Sequence, residues 1–342
     1  MVVDDYHVVD TGDIVYTKSP LKSNPFGIIR LNNGAPGVVS TLYAVYEVKD
    51  GHSPSFWGRY FELDDRTNRY LMPLVHKGAK NDMKINNDRV LIDPVYMPEL
   101  TEQERIAELF AVLDKRIELI QRRRAGLTAY KKSMIERIFS QTLRFVSASG
   151  SPFPDWQTKR LGDVAAFSKG KAISKSDISE EGQTPCIRYG ELYTVFEERI
   201  EAAVSATDLP IHELTFSKAG DVILPASGET PLDMASAACV LTAGIAIGGD
   251  INIIRSSVDG LFLAYTLRHA KRREIAKLAQ GNSVVHLYPS SLAHLKIDLP
   301  GLEEQKQVAH FLASIDAKID VVSRQVESMQ IFKRGLLQQM FV

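Results

Sequence analysis

The chain has 342 residues, of which 44% are hydrophobic and 24% are charged, and its formal net charge is −1. This composition is typical of a globular protein of about two domains, and a surface that binds nucleic acid would have to be local or shared with a partner. Because the sequence contains neither an apolar run of about 20 residues nor the start of a signal peptide, we predict a cytoplasmic protein and exclude a membrane protein.

The first 99 residues carry short β-type runs and are predicted to form a small mixed α/β domain. Residues 11–15 resemble a glycine turn that leads into a strand, and apolar residues alternate in the run 39–46. The last strand of this domain is expected to lead through Pro98 into a helix.

Residues 100–141 are predicted to form one long helix. Thr101 can cap the first turn, and Glu102 and Glu104 lie where the helix dipole favours anions. Apolar residues then recur at alternating steps of three and four, which is the spacing of a coiled-coil seam. The seam positions of this helix are Leu113, Ile117, Ile120 and Leu127. The small, polar residues 142–155, which include prolines, are predicted to be a linker.

Residues 156–300 are predicted to form a second mixed α/β domain. Short apolar runs at 221–224, 245–247, 251–254 and 294–299 indicate strands, and a helical pattern covers 261–278. The last of these strands should lead through Pro300 into a second long helix.

The second helix, residues 301–342, repeats the first. The segment from Pro98 to Phe139 returns as the segment from Pro300 to Phe341, and Asp114 and Asp316 are 202 positions apart, as are Lys131 and Lys333. A repeat of this length duplicates a domain and its helix, since solenoid units have only about 20–50 residues. The seam positions of the copy include Ile315, Ile319, Val322 and Val326.

The two seams predict how the helices pack. Neither apolar seam can remain exposed, and two matched seams in one chain favour an intramolecular, antiparallel pair over a homodimeric zipper. We therefore predict an α/β (α+β) protein with a pseudo-two-fold repeat, in which two small mixed domains are separated by two long antiparallel coiled-coil helices.

The repeat continues upstream at an offset of 208, where residues 11–15 match 219–223 and the run 39–46 matches 247–254. Before this match the second copy has a long segment that starts near Trp156, whereas the first has only eleven residues. The first domain is therefore predicted to lack an opening portion of about 50 residues. We expect that this domain either reads no DNA or is completed by a second copy of the chain or by a separate fragment.

Several polar and aromatic residues next to glycines are candidates for contacts with DNA. Lysines beside glycine suit phosphate groups, and Asn, Ser, His and Tyr on loops can form hydrogen bonds with base edges. These candidates are Lys18, Lys169, Lys171, Lys175, Arg188, Tyr189, Tyr193, Lys218, Glu229, Thr230, Asn282, Ser283, His286 and Tyr288.

Sequence signatures of enzymes are weak. The chain has no phosphate-binding P-loop, no glycine-rich dinucleotide motif and no histidine spacing typical of a metal site. Residues 24–26, Asn-Pro-Phe, are similar to an amino-methyltransferase motif but lack its second proline. The sequence therefore predicts neither a catalytic residue nor a metal site, and a divergent methyltransferase is a less favoured hypothesis.

The repeated segments resemble the two conserved helical regions of the specificity subunits of type I DNA restriction-modification systems. The pattern Pro-x-Leu-x-Glu-Gln, then Ile/Val-Ala and Ile/Leu-Asp, and a final Phe, covers Pro98 to Phe139 and Pro300 to Phe341. Residues 156–164 are similar to the usual start of a target recognition domain in that family. The resemblance covers essentially the whole chain, apart from the shortened first domain.

The resemblance implies a function. In that family two target recognition domains each read one half of a bipartite DNA sequence, and the subunit itself is not an enzyme. It recruits methyltransferase subunits that use S-adenosylmethionine, and an ATP-driven restriction subunit can join them. The alternative hypothesis is a coiled-coil adaptor or decoy subunit that joins these partners without reading DNA.

Overall fold

The computed structural model describes residues 6–77, 83–171, 173–281 and 284–341. The chain forms two compact units. Unit 1 consists of Met1–Ala125 with Asp320–Val342, and unit 2 consists of Gly126–Ile319. Each long helix therefore contributes one part to each unit.

Unit 1 contains short strands, two short helices and a part of each long helix. The strands are His7–Val9 (β1), Ile14–Thr17 (β2), Ile28–Leu31 (β3), Gly37–Val39 (β4), Tyr43–Tyr46 (β5), His76–Lys77 (β6) and Met83–Lys84 (β7). The helices are Pro54–Tyr60 (α1), Asp64–Leu71 (α2) and Leu100–Phe139 (α3), with a 3-10 turn at Asn87–Leu91. β2 is the centre of a three-stranded antiparallel sheet of order β3-β2-β5, and β1 pairs with β4.

Unit 2 is larger. Its strands are Gln157–Arg160 (β8), Ala165–Lys169 (β9), Thr184–Ile187 (β10), Arg199–Ile200 (β11), Ser205–Thr207 (β12), Asp221–Pro225 (β13), Ser227–Gly228 (β14), Ala238–Val240 (β15), Ala246–Ile247 (β16), Ile251–Ser256 (β17), Val285–His286 (β18) and Lys296–Leu299 (β19). Its helices are Leu161–Val164 (α4), Glu191–Thr194 (α5), Gly260–Tyr265 (α6), Arg272–Leu278 (α7), Pro289–Ala293 (α8) and the first part of Leu302–Met340 (α9). A five-stranded sheet of order β11-β15-β13-β17-β9 forms its centre.

The strand registers of the two units are the same at the offset of 208. In unit 1, Ile14 lies opposite Tyr46 on one side and Leu31 on the other. In unit 2, the equivalent Val222 lies opposite Ile254 and Cys239. The order β3-β2-β5 is therefore repeated as β15-β13-β17, and the upstream part of the sequence repeat is a repeat of a sheet.

The two sheets differ at their edges. In unit 2, β9 extends the sheet beside β17 and β11 extends it beside β15. In the described part of unit 1, β5 and β3 have no such neighbours and are edge strands. Both additional strands of unit 2 come from the segment between 156 and 218, and the described residues before Gly12 contain no counterpart of either strand.

The long helices run in opposite directions within each unit. In unit 1, the start of α3 lies beside the end of α9, where Lys333 Nζ is 2.5 Å from a carboxylate oxygen of Asp114. In unit 2, the end of α3 lies beside the start of α9, where Lys131 Nζ is 2.7 Å from Asp316. These two ion pairs join residues that the 202-residue repeat makes equivalent. The predicted antiparallel coiled coil is confirmed.

The seam positions lie on the covered side of the helices. Ile117, Ile315, Val322 and Val326 are buried, and Leu113, Ile120, Leu127 and Ile319 are half-buried.

Equivalent hydrogen bonds hold the start of α3 in unit 1 and the start of α9 in unit 2. Gln103 of α3 donates from Nε2 to the carbonyl of Pro98 and accepts from the N–H of Ser53. Its counterpart Gln305 of α9 donates to the carbonyl of Pro300 and accepts from the N–H of Asp259. Ser53 and Asp259 are the N-caps of α1 and α6, so one glutamine in each copy joins two helix starts.

Three details of the structure differ from the sequence expectations. The first helix ends at Phe139, because the chain turns at Gln141, which has a φ of 59°. The helical pattern at 261–278 is divided into α6, a π-helical turn at Thr266–Ala270, and α7. The expected strand before Pro98 is wrong, since residues 94–97 form no strand. Their counterpart β19 is a strand because it pairs with β8, and the described part of unit 1 has no equivalent of β8.

Candidate nucleic-acid interface

Four predicted DNA-contact residues meet at one surface of unit 2. The rings of Tyr189 and Tyr193 are 6.2 Å apart, and those of His286 and Tyr288 are 6.3 Å apart. The Tyr193 hydroxyl donates to the carbonyl of Ser227 at 2.5 Å, and Ser227 lies opposite His286 in the β14–β18 pair. We call Tyr189, Tyr193, His286 and Tyr288 the aromatic cluster.

A glycine in β14 allows the two halves of the cluster to approach each other. A Cβ atom at Gly228 would lie 2.7 Å from the Tyr193 hydroxyl and 2.3 Å from Met234 Cε. Any other residue at this position would therefore displace Tyr193 or Met234. The glycine beside the predicted contact residues Glu229 and Thr230 is required for packing.

The members of the cluster differ in exposure. Tyr189 and Tyr288 are 43% and 44% exposed, and His286 is also exposed, whereas Tyr193 is half-buried. Burial, with a smaller contribution from the charge of Asp233, raises the pKa of the Tyr193 hydroxyl above its usual value, so this group stays protonated. The exposed rings and the imidazole can stack on bases or form hydrogen bonds with base edges.

Buried polar groups that the sequence analysis missed hold these elements in place. Glu191 accepts the backbone N–H of Arg188 at 3.0 Å and the hydroxyl of Ser205 at 2.5 Å, and thereby fixes the turn that carries Tyr189. Asn252 is fully buried and donates to the carbonyl of Leu287, beside His286. The signal for Asn252 was present in the sequence, as a single amide within an apolar run.

The predicted lysines lie on an adjoining edge of unit 2. Lys169, Lys171 and Lys175 are all exposed, and Lys171 Nζ donates to the carbonyl of His212 at 3.1 Å. The backbone of Lys171 forms a parallel bridge with Gly248. We call the segment that carries Lys169, Lys171 and Lys175 the lysine segment. Because the N–H of Gly248 donates to the carbonyl of Ile187, this bridge connects the lysine segment to the turn that carries Tyr189.

Gly170 lies where the backbone after β9 closely approaches the backbone at Ile247 and Gly248. A Cβ atom there would lie 2.1 Å from the carbonyl oxygen of Gly248 and 2.3 Å from that of Ile247. The glycine at this position is therefore required for the close approach of the two backbone segments.

The other candidates are placed differently. Arg188 is half-buried, with a guanidinium nitrogen 3.5 Å from Glu191. Glu229 and Thr230 are exposed beside β14, and the Thr230 hydroxyl donates to Asp233. Lys218 precedes β13, at the opposite end of that strand from Ser227, so it does not join the aromatic cluster.

Three candidates lie elsewhere. Lys18 belongs to unit 1, where it directly follows β2 at the position equivalent to Ala226. Asn282 and Ser283 lie outside the described residues, so their predicted contacts with bases remain predictions.

Within the described ranges, no group of three or more His, Cys, Asp or Glu side chains is arranged to hold a metal ion. Among the same residues, no helix is both long enough and apolar enough to cross a bilayer.

Comparison with known protein families gives a match over half of the chain. Residues 154–328 match the model of the type I restriction modification DNA specificity domain. This range contains the aromatic cluster, the lysine segment and the start of α9.

Two curated proteins of Methanocaldococcus jannaschii are similar in sequence. The specificity subunit of the type I restriction enzyme MjaVIII is 25% identical over 264 residues, which cover 70% of this chain and 59% of that protein. A second protein, which carries the name of a type I restriction enzyme MjaX specificity subunit, is 26% identical over 275 residues. These residues cover 78% of this chain and 63% of that protein. The chain thus spans about three fifths of the length of these relatives.

Two solved structures share the fold. The type I restriction-modification S subunit of M. genitalium is 13% identical, with a TM-score of 0.58 over 99% of this chain and 85% of that one. A chain from a structure of complex assembly and conformational transition of the type I R-M system is 19% identical, with a TM-score of 0.58 over 99% and 84%.

Proposed function

Because the chain belongs to the type I restriction-modification DNA specificity family, we propose that it selects a DNA sequence for a methylation and restriction complex. The single observation that carries the proposal is the aromatic cluster, whose exposed rings lie next to exposed lysines within the matched range.

The two groups of residues have different proposed roles. Lys169, Lys171 and Lys175 are cations on one edge and would bind phosphates, which fixes the position of the duplex without reading its sequence. Tyr189, His286 and Tyr288 carry the hydrogen-bonding and stacking groups and would read bases. Tyr193, whose hydroxyl is engaged with Ser227, would hold Tyr189 and the β14 strand in position.

The chain would depend on partners for affinity and for chemistry. A net charge of −1 gives little general attraction for DNA, so methyltransferase subunits would supply much of the contact with phosphates. Those subunits would also bind S-adenosylmethionine, and a restriction subunit that joins them would use ATP. We propose a non-catalytic role in the cytoplasm for this chain, since methyl transfer and cleavage would take place on its partners.

The test is to assemble the chain with its cognate methyltransferase subunits and to measure binding to duplexes of varied sequence and salt concentration. Replacing Lys169 and Lys171 with Ala should weaken binding to all sequences alike and reduce the slope against log salt by about one for each lost contact. His286→Ala should change the preference at one base pair. His310→Ala, which removes an exposed histidine of α9, is the matched control and should change neither.

The same measurement separates this function from that of an adaptor or decoy. A complex that binds all duplexes equally, and whose binding is unaffected by both sets of variants, would show that the chain joins partners without reading DNA. Specific binding that persists unchanged in the His286→Ala and Tyr189→Ala variants would place the reading surface elsewhere.

A further inference from the structure

The outer edge of β5 in unit 1 is open where its counterpart in unit 2 is covered. The N–H of Lys18 donates to the carbonyl of Leu42 across the β2–β5 pair. Because bonding alternates along an antiparallel strand, Val45 and Glu47 direct their backbone N–H and C=O groups away from β2. In unit 2 the equivalent residues Ile253 and Arg255 lie opposite β9, whereas no described residue of unit 1 pairs with this edge of β5.

A second open segment lies at residues 94–97. Its counterpart β19 pairs with β8, and Ile297 of β19 is fully buried. In unit 1 the equivalent Val95 is only half-buried, and the adjoining Tyr96 and Ile92 are 95% and 69% exposed. Exposed apolar residues next to an unpaired backbone are typical of an interaction site.

A cavity joins the two open segments. It has a volume of about 600 Å³, and residues 45–49, 91–95 and 97 line it together with Trp57 and Phe61. In unit 2, the chain that pairs with β19 and β17 is one continuous segment, 157–169. The single-turn helix α4 between its two strands carries Leu161, which is fully buried in the same core as Ile297.

We propose that residues 43–48 and 91–97 of unit 1 form an acceptor groove for a segment of a separate polypeptide, which adds one strand beside β5 and another beside 94–97. The occupant is a strand–turn–strand segment like residues 156–169, with apolar residues at the positions of Leu161, Val164 and Phe167. This is strand addition to an exposed edge, with a pocket for the side chains of the connecting turn.

Charge within the two groove segments favours a basic occupant. Glu47 and Asp93 are the only Asp, Glu, Lys, Arg or His residues in 43–48 and 91–97, and Glu47 is equivalent to Arg255 of unit 2, although Lys49 and His52 also line the cavity. The segment 156–169 has three basic residues, Lys159, Arg160 and Lys169, and one acidic residue, Asp163. A segment of this composition complements the groove.

The path of the chain in unit 1 is consistent with an occupant from a separate polypeptide. β1 pairs with β4 in the antiparallel sense, whereas β10 of unit 2 pairs with the equivalent β16 in the parallel sense. The chain before Gly12 thus enters the sheet from the opposite direction. It is not positioned as the continuation of a strand that covers β5.

The experiment uses a fluorescent peptide with the sequence of residues 156–169 and the full chain. Saturable binding should be seen by anisotropy, with new protection from hydrogen exchange at residues 43–48 and 91–97. Val45→Pro removes an outward N–H without removing a hydrogen bond to β2, and it should weaken binding at least about tenfold, or about 1.4 kcal/mol. Glu47→Lys should also weaken binding, and Lys115→Ala on an exposed part of α3 should not.

A peptide with the substitution Leu161→Asp is the control for the pocket and should not bind. Because a short peptide can bind weakly, the same sequence is also fused before Met1 through a flexible linker, which raises its effective concentration. Absence of protection at both segments in the fused protein would overturn the proposal. Self-association of the chain that protects these segments, and that the peptide does not displace, would show that a second copy is the occupant and would also overturn it.

Discussion

Single residues determine how closely the strands around the aromatic cluster and the lysine segment approach. Gly170 is the clearest case, because a side chain there would collide with backbone carbonyls, which cannot move as a flexible side chain can. We predict that Gly170→Ala destabilises unit 2 by about 1–3 kcal/mol, measured by chemical denaturation. Gly190→Ala is the matched control, since a Cβ at Gly190 meets nothing within 4 Å. Equal stability of the two variants would contradict the close approach at Gly170.

Glu198 is a buried carboxylate whose charge is stabilised by neighbours in unit 2. Burial opposes its ionisation, but the hydrogen bond with His269 and the charge of Lys131 outweigh this and lower its pKa from 4.5 to about 2. A group whose pKa is lower in the folded state stabilises the fold above its unfolded pKa. That contribution, about 3 kcal/mol, is lost as the pH falls from about 4.5 towards 2.

We therefore predict that Glu198→Gln flattens the pH dependence of the free energy of unfolding between pH 4.5 and 2. Urea denaturation at a series of pH values measures this slope. Glu197→Gln is the control, since the Glu197 side chain is 77% exposed. If both variants keep the wild-type slope, Glu198 is not the group responsible.

At the scale of elements, the two long helices carry equivalent lysines in unequal surroundings. Lys131 pairs with Asp316 and with Glu198, whose side chain is 1% exposed. Lys333 pairs with Asp114 and Glu62, which are 39% and 30% exposed, and Asp114 keeps a second partner in Arg59.

Removing a charge from a buried pair costs more than removing one from a pair near solvent. We predict that Lys131→Met lowers the free energy of unfolding by about 3 kcal/mol and Lys333→Met by about 1 kcal/mol or less. Denaturation of the two variants under the same conditions measures the difference, and an equal or reversed order would contradict it.

The sequence predicted the elements whose pattern is local or repeated. The 202-residue offset predicted that Asp114 and Asp316 occupy equivalent places, and the 208-residue offset predicted that the segments of β2 and β13 are equivalent, since both follow from matched residues. It did not predict the state of residues 94–97, because a strand requires a partner and no local pattern shows whether one is present. The sequence also did not predict that Tyr193 lies beside Ser227, because this contact depends on pairing between segments that are distant in sequence.

At the scale of the whole molecule, the two units share a sheet but differ in the elements that carry the candidate contacts. In unit 2, β9 ends at Lys169 of the lysine segment. β10 directly precedes Arg188 and Tyr189, and α5 contains Tyr193. The described part of unit 1 has no counterpart of these elements. Of the predicted contact residues in the described ranges, only Lys18 belongs to unit 1.

We therefore predict that one 342-residue chain, assembled with methyltransferase subunits, specifies a single half-site through residues 156–300. Mapping the methylated positions in DNA exposed to this complex measures the recognised sequence. The expected motif has one fully defined half, and His286→Ala should relax it at one position there. If two chains assemble and each contributes its unit 2, the motif should instead be symmetric. An asymmetric motif with two fully defined halves, produced by a complex that contains one copy of the chain, would show that unit 1 reads DNA with a surface unlike that of unit 2.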